Sequence, residues 1–481
     1  MSDFFSSINS FLEAVLFFDI FFGTIDGAKV PFLVAWLIVG GIYLTFLTRF
    51  VNLRMFKHSF DIIRGRYRTA DDVGEISPFG ALSTALSATV GLGNIAGVAL
   101  AVSLGGPGAT FWMIVAGFLG MSLKFTEVTL SLQHRVFLKD GTVMGGAMEY
   151  LSRGLAQKGY AKFGKVLAVI FALFMIGGAI GGGNIFQTSQ ALGAVAQEVT
   201  FFKDFPIVFG LIVALFVGFV IIGGVTRIAK LTGFLVPIMA IIYIGSSLWI
   251  LAYHFEKLDD AIAIIFHEAF STSAIYGGMA GAIVQGFQRA VFSSEAGIGS
   301  SPVAHAPVKT KYAVRQGFVA LYEPFIDTVM ICTMTALVIV ITGVYAHDGA
   351  YMSLIEAKQG AALTSAAYGT VVSWFPAVLS ISITLFAFST LVAWSYYGER
   401  AWVYLFGTKY SMVYKVSYLV LIVIATITET AVLVDFSFML FLTMALPNIL
   451  GLYILSGDVK RELDMYLVKL KSGELDREAL R

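Results

Sequence analysis

Apolar stretches of about twenty residues or more recur along the chain, separated by short polar or charged breaks. They fall at about 30–50, 77–104, 108–133, 163–195, 205–224, 229–253, 273–300, 316–342, 371–397, 411–429 and 431–455. A hydrocarbon core about 30 Å thick takes about 20 apolar residues per helical crossing, so the pattern predicts about eleven membrane-spanning helices. The runs are continuous rather than alternating, which excludes a β-barrel. Residues 4–22, rich in Phe and Leu, read as a further helix lying on the membrane surface. The expected fold class is an all-α polytopic membrane protein.

Two segments carry helix breakers at their centres or inner halves. The second holds Gly91, Gly93 and Asn94; the seventh holds Ser293, Ser294, Glu295, Gly297 and Gly299. Lipid tolerates irregular backbone only where it is buried in protein or lines a cavity, so breakers at mid-membrane depth point to function. Small residues that merely let helices pack closely give a similar composition. Two breaks at matching positions, five segments apart, favour unwinding instead. Segments two to six and seven to eleven then form two five-helix units, and an odd number of helices per unit gives them opposite topology. The predicted organisation is a surface helix, first span and polar loop (1–76), a first repeat (77–254), a second repeat (273–455) and a tail (456–481). In such a 5+5 inverted repeat, half-helix N-termini at the breaks face a carboxylate, while freed carbonyls coordinate sodium.

Charge orients this arrangement. Of the 32 Lys and Arg residues, 26 fall in alternate loops and in the tail, on one side: Arg49 to Arg68, Arg135 to Lys165, Arg227 and Lys230, Lys309 to Arg315, Arg400 to Lys415, and from Lys460 on. Lys29, Lys203, Lys257 and Lys358 fall on the other side, and Lys124 and Arg289 lie within segments. The positive-inside rule then predicts a multi-pass protein of the cell membrane with an external N-terminus and a cytoplasmic C-terminus. The tail, amphipathic and mixed in charge, reads as a solvated helix on the membrane surface.

Composition narrows the function. With 58% hydrophobic and 13% charged residues, the chain departs from any water-soluble balance. Its net charge of +1 gives no attraction to nucleic acid. No basic residue precedes Lys29, the opposite of a secretory signal's positive start. The longest internal loops, about 50–76 and 134–162, are poor in clustered His, Cys or Asp, and neither a phosphate loop nor HExxH occurs. An enzyme or an ATP-driven pump is therefore not expected, nor any cofactor. The one cysteine, Cys332, allows no internal disulfide or zinc site and reads as core packing. No feature identifies a partner subunit or an oligomeric state.

The stretch Thr89-Val90-Gly91-Leu92-Gly93-Asn94 resembles the unwound first helix of LeuT-type sodium symporters. More specifically, GLGNIAGVA at 91–99, GGPGATFWMIVAGFLGMSLKFTE at 105–127, FSSEAGIGSSPVAHA at 292–306 and FAFSTLVAWSYYGER at 386–400 resemble the alanine or glycine:cation symporter family. That family often reads FWMW where this chain has Phe111-Trp112-Met113-Ile114. The resemblance implies secondary active import of a small neutral amino acid, alanine or glycine, with sodium as the coupling ion and the lipid bilayer as surroundings.

It also implies roles. The backbone amides at Gly91, Leu92 and Gly93, with Asn94, would hold the substrate carboxylate, and carbonyls near Thr89, Phe292 and Ser293 would accept from its ammonium. Phe292, Ile298 and Trp394 would wall a pocket with room for a methyl group, with Gly297 in the adjoining break. Gln187 and Thr390 would add polar contacts. The carbonyls of Ser87 and Val90 and the hydroxyls of Ser389 and Thr390 would surround sodium. A second ion near Asn94 and Ser293 fits the same chemistry.

Ionisable residues at membrane depth remain. Lys124 and Glu127, three apart, can form an internal pair; Arg289 with Glu295, Glu323 or Asp327 can form a gate or an equally simple brace. A carboxylate of this group that exchanged protons would make H⁺ the coupling ion, giving a proton-coupled or broader neutral amino acid carrier of the same fold. A channel would repeat polar residues along one helical face, whereas here they bunch near the midplane.

Overall fold

The computed structural model describes residues 10–22, 29–69, 71–138, 143–271, 278–347, 349–371 and 373–479. Each of the eleven apolar segments is helical over most of its described length. Helix α1 is Phe32–Leu47. The second segment is a pair, α2 (Pro78–Thr89) and α3 (Gly93–Gly105), bent by 50°. There follow α4 (Ala109–Gln133), α5 (Ala161–Glu198), α6 (Pro206–Ile221), α7 (Gly224–Tyr253), α8 (Gly278–Ser294), α9 (Ala313–Thr342), α10 (Phe375–Phe406), α11 (Ser411–Ala425) and α12 (Leu433–Lys471). Among the described residues, seven helices are long and apolar enough to cross a membrane, or eight if the bent pair is one span; α1 and α6 are shorter apolar helices.

Local chemistry sets these boundaries. Ser77 accepts the Gly80 N–H at 3.0 Å and Pro78 occupies the first turn, the usual way to begin a helix. Threonines within the bundle bond to their own helix, Thr45 to the Gly41 carbonyl and Thr48 to that of Leu44, both at 2.7 Å, which satisfies these hydroxyls in an apolar setting. The seventh segment leaves the helical path at Glu295, where φ is 58°, and Gly297 and Gly299 continue at 88° and 78°. Two glycines make that left-handed run affordable to the chain. The glycine-rich part of the fourth segment, Gly181–Ile185, is by contrast a widened π-type turn inside a continuous α5.

Helix α4 is the hub. It is buried from Gly120 to Leu132, packed by α1, α8 and α9. Helices α6 and α7 lie outside and present Leu215, Phe216, Phe219, Ile241 and Trp249 outward, as lipid-facing surfaces do.

Both ends differ from expectation. The boundary placed at 455/456 falls inside α12, which runs unbroken to Lys471. The tail packs against the rest of the chain: Tyr466 is buried and its hydroxyl pairs with the His58 ring at 3.0 Å, and Lys158 bonds Asp458 at 2.8 Å. The Phe/Leu-rich N-terminal segment is helical over 10–16, and residues 4–9 lie outside the described residues. It folds back on α1, with Phe18 stacked on Phe32 at 5.2 Å and Asp19 accepting the Val30 N–H at 3.0 Å.

Candidate functional site

The break between α2 and α3 is held from three sides. Helix α2 loses its geometry at Val90 (φ −74°, ψ 84°), so amides and carbonyls that a helix would pair internally are released. From within the break, Asn94 folds back and accepts the Gly91 N–H at 2.8 Å. From α5, Gln187 accepts the Leu92 N–H at 3.1 Å and donates to the Gly182 carbonyl at 3.0 Å. From α10, the Thr390 hydroxyl donates to the Ser87 carbonyl at 3.1 Å, while the Ser87 hydroxyl donates to the Ser389 carbonyl at 3.0 Å. The Ser389 hydroxyl turns back to the Phe386 carbonyl at 3.0 Å, and Thr89 back-bonds to Ala85 at 3.2 Å. Gly91 is required here by close approach: a Cβ on it would lie 2.4 Å from the Thr390 hydroxyl oxygen.

Opposite the break lies a group that the sequence expectation had tied to Arg289. Asp327 of α9 is fully buried; its carboxylate accepts from Asn94 at 2.6 Å and from the hydroxyls of Ser293 and Thr328, each at 2.8 Å. Asn94 also donates to the Asp327 carbonyl at 3.0 Å. Among the described residues this carboxylate has neutral donors and no ion pair. Cys332 joins the cluster, its sulfur 3.3 Å from the Ser293 hydroxyl and 3.5 Å from the Asn94 amide, so it packs against polar rather than purely apolar neighbours. The signal for Asp327 was available: an acid in an apolar run with no basic residue one turn away.

Aromatic rings close over this centre. Phe292 stacks on Phe438 at 4.0 Å and meets Phe441 at 4.7 Å and Phe186 at 4.8 Å; Trp394 meets Phe441 at 5.1 Å. Trp394 lies so close to α5 that a Cβ on Gly183 would sit 2.4 Å from its own Cβ. The structure thus brings together Ser87, Thr89, Val90, Gly91, Leu92, Gly93, Asn94, Gln187, Ser293, Ser389 and Thr390, with Phe292 and Trp394 in the adjacent aromatic cluster. Gly93 faces Ser293, whose Cα is 3.0 Å from the place of its Cβ. Gly297 is elsewhere: it faces Leu37, Leu123 and Ile449, and its carbonyl accepts from Asn448 at 2.9 Å. Ile298 is fully buried in the same turn, its N–H on the Glu295 carbonyl at 3.4 Å.

The other ionisable residues do not pair as expected. Lys124 bridges to Glu323 at 3.1 Å and donates to Ser301 at 2.6 Å, not to Glu127. Glu323 also bonds the His305 ring, which takes a 2.6 Å bond from Gln316. Glu127 instead accepts from Asn448 at 2.6 Å, and Glu295 from Ser300. Helix geometry explains the change: the break after α8 brings Ser301 and His305 against α4 and α9, offering Lys124 a better partner than its own helix does. Arg289 pairs with none of these carboxylates; its guanidinium lies 3.6 Å over the Phe438 ring.

A helix broken at buried amides and crossed by a hydroxyl of a distant helix, within a polytopic bundle, is the architecture of the LeuT-type fold. The solved structure of MhsT in complex with L-phenylalanine is similar in fold, with a TM-score of 0.57 at 16% identity, covering 82% of this chain and 93% of that one. The model of the sodium:alanine symporter family matches residues 17–479, and the chain belongs to that family. Among its relatives, the sodium/alanine symporter AgcS of Methanococcus maripaludis is 38% identical over 90% of this chain and 93% of its own length. A Bacillus subtilis protein named "Probable sodium/glutamine symporter GlnT" is 33% identical over 92% and 89%. Membership makes the chain a symporter, not an enzyme.

Proposed function

We propose that the chain imports alanine or glycine with sodium, alternating access around the α2–α3 break and the end of α8. The observation that carries this reading is the crossing of Ser87, Ser389 and Thr390, in which the Thr390 hydroxyl donates to the freed Ser87 carbonyl and the Ser87 hydroxyl donates to the Ser389 carbonyl. Hard oxygens without a full charge suit sodium. The substrate carboxylate takes the Leu92 N–H in place of the Gln187 side chain, and Asn94 stays as the brace of the break. Phe292 and Trp394 limit the side chain: their rings pack so closely on Gly182 and Gly183 that even a Cβ there would clash, which favours a substrate as small as glycine or alanine. In this reading the N-terminus is external and the C-terminus cytoplasmic.

Asp327 favours one further possibility for the ion. A buried carboxylate with neutral donors alone is costly unless a cation or a proton neutralises it. Sodium there makes a second coupling ion; a proton makes the carrier proton-linked.

Equilibrium binding of labelled alanine to the purified protein tests the assignment. Binding that requires sodium, and that glycine and serine displace while glutamine does not, is the expected result. Sodium-independent binding, or displacement by glutamine as strong as by alanine, overturns the alanine or glycine assignment in favour of a broader carrier.

A further inference from the structure

Arg289 is 6% exposed, and its Nε and Nη1 have no hydrogen-bond partner. Among the described residues it has no ion pair. A guanidinium placed so deep without an anion is expensive, and in a carrier such a group marks a ligand path by default. It sits one turn before Phe292 on α8, over the ring of Phe438, and Phe438 in turn sits one turn after Asp435 on α12. Both helices run inward from the external face in the orientation proposed above, so Arg289 and Asp435 lie one turn outside the stacked Phe292–Phe438 pair. At present Asp435 is held by Lys358, with Nζ 2.5 and 2.7 Å from the two carboxylate oxygens. Lys358 belongs to the loop between α9 and α10, whose short helix Gly360–Gly369 rests on the break: Thr364 donates to the Ile95 carbonyl at 3.2 Å, and Gln190 of α5 donates to the Lys358 carbonyl at 3.0 Å.

Withdrawal of that loop frees Asp435 beside an unpaired guanidinium, and the two together present one positive and one negative group. We infer that Arg289 and Asp435 form an outer docking site for an amino acid zwitterion, Arg289 taking the carboxylate and Asp435 the ammonium, before the molecule passes the Phe292–Phe438 pair to the break. A planar guanidinium matches a carboxylate with two parallel hydrogen bonds, which a lysine at the same place does not reproduce. The Lys358–Asp435 bridge closes the outer site by supplying the cation that the substrate's ammonium otherwise provides. This inference rests on the import reading above.

The test compares uptake with binding. Initial rates of sodium-driven alanine uptake into proteoliposomes and equilibrium alanine binding are measured for wild type, Arg289→Gln, Arg289→Lys and Asp435→Asn. A docking site on the entry path predicts that Arg289→Gln raises the half-saturating alanine concentration for uptake about tenfold or more, the range of a lost charged hydrogen bond, while the equilibrium Kd stays within about threefold. Arg289→Lys recovers part of the loss, and Asp435→Asn raises the same concentration without changing Kd. Unchanged half-saturation in Arg289→Gln overturns the site, as does a parallel rise in Kd, which places Arg289 at the central pocket or in the fold. Should Arg289→Gln fail to fold, Arg289→Lys decides: half-saturation equal to wild type overturns the site. Replacing chloride by gluconate distinguishes the other small anion; a wild type that loses uptake without chloride assigns the guanidinium to chloride and overturns the inference. Absence of sodium-driven alanine uptake in the wild type itself contradicts the import reading, a result separate from any of these.

Discussion

Two buried polar clusters stand close together in this bundle, and they are built on opposite principles. Around Lys124, charge meets charge: Glu323 lies at 3.1 Å, His305 bonds Glu323, and Ser301 and Gln316 complete the set. Around Asp327, a carboxylate meets, among the described residues, only Asn94, Ser293 and Thr328. A paired cluster braces, because either partner is stranded when the other leaves. An unpaired one next to an unwound helix is unfinished until an ion or a proton arrives. The two clusters are joined through the break after α8, where Ser293 serves the second and Ser301 the first, so the proposed binding centre rests on the braced one.

The comparison breaks most visibly at the brace. Lys124→Met should destabilise the protein by about 3–5 kcal/mol, the cost of a buried charge left without its partner, and Lys124→Met with Glu323→Met together should recover most of it. Thermal unfolding of the purified variants measures both; equal unfolding temperatures for wild type and Lys124→Met remove the distinction between clusters. Next in size, Asn94→Ala should abolish alanine binding, by about a hundredfold or more, as the break loses its brace and Asp327 its closest donor. Its unfolding temperature should fall less than that of Lys124→Met.

Finer effects sharpen the role of Asp327. Asp327→Asn keeps the volume but removes the charge, and should raise the sodium concentration for half-maximal uptake about tenfold. Loss of pH dependence with sodium dependence intact would instead assign the carboxylate to a proton. Smallest is Thr390→Ala, which removes a single hydroxyl from the α2–α10 crossing and should raise the same sodium concentration about threefold.

Much of this was legible in the sequence. The apolar runs located the helices because membrane spans must satisfy their backbone internally, and the paired glycine clusters located both breaks. The Thr390 hydroxyl reaches the Ser87 carbonyl, whereas Ser389 meets Ser87 through its carbonyl and turns its own hydroxyl back to Phe386. What escaped the sequence depends on where the chain goes after a break. Lys124 and Glu127 look like partners when α4 is considered alone; Ser301 and His305 arrive from the stretch after α8, and Glu323 from α9, and win. Gly297 turned to α1 and α12 because its φ of 88° redirects the chain. The tail kept its helix past 456 because buried Val459, Leu463 and Tyr466 continue the inward face of α12, a period that the mixed charges masked.

The most direct test of the account is uptake of labelled alanine into proteoliposomes under an inward gradient of sodium, potassium or protons alone. Accumulation above equilibrium with sodium and with neither other ion is the predicted result. Accumulation driven by protons alone, or none under any gradient while another amino acid is taken up, contradicts it.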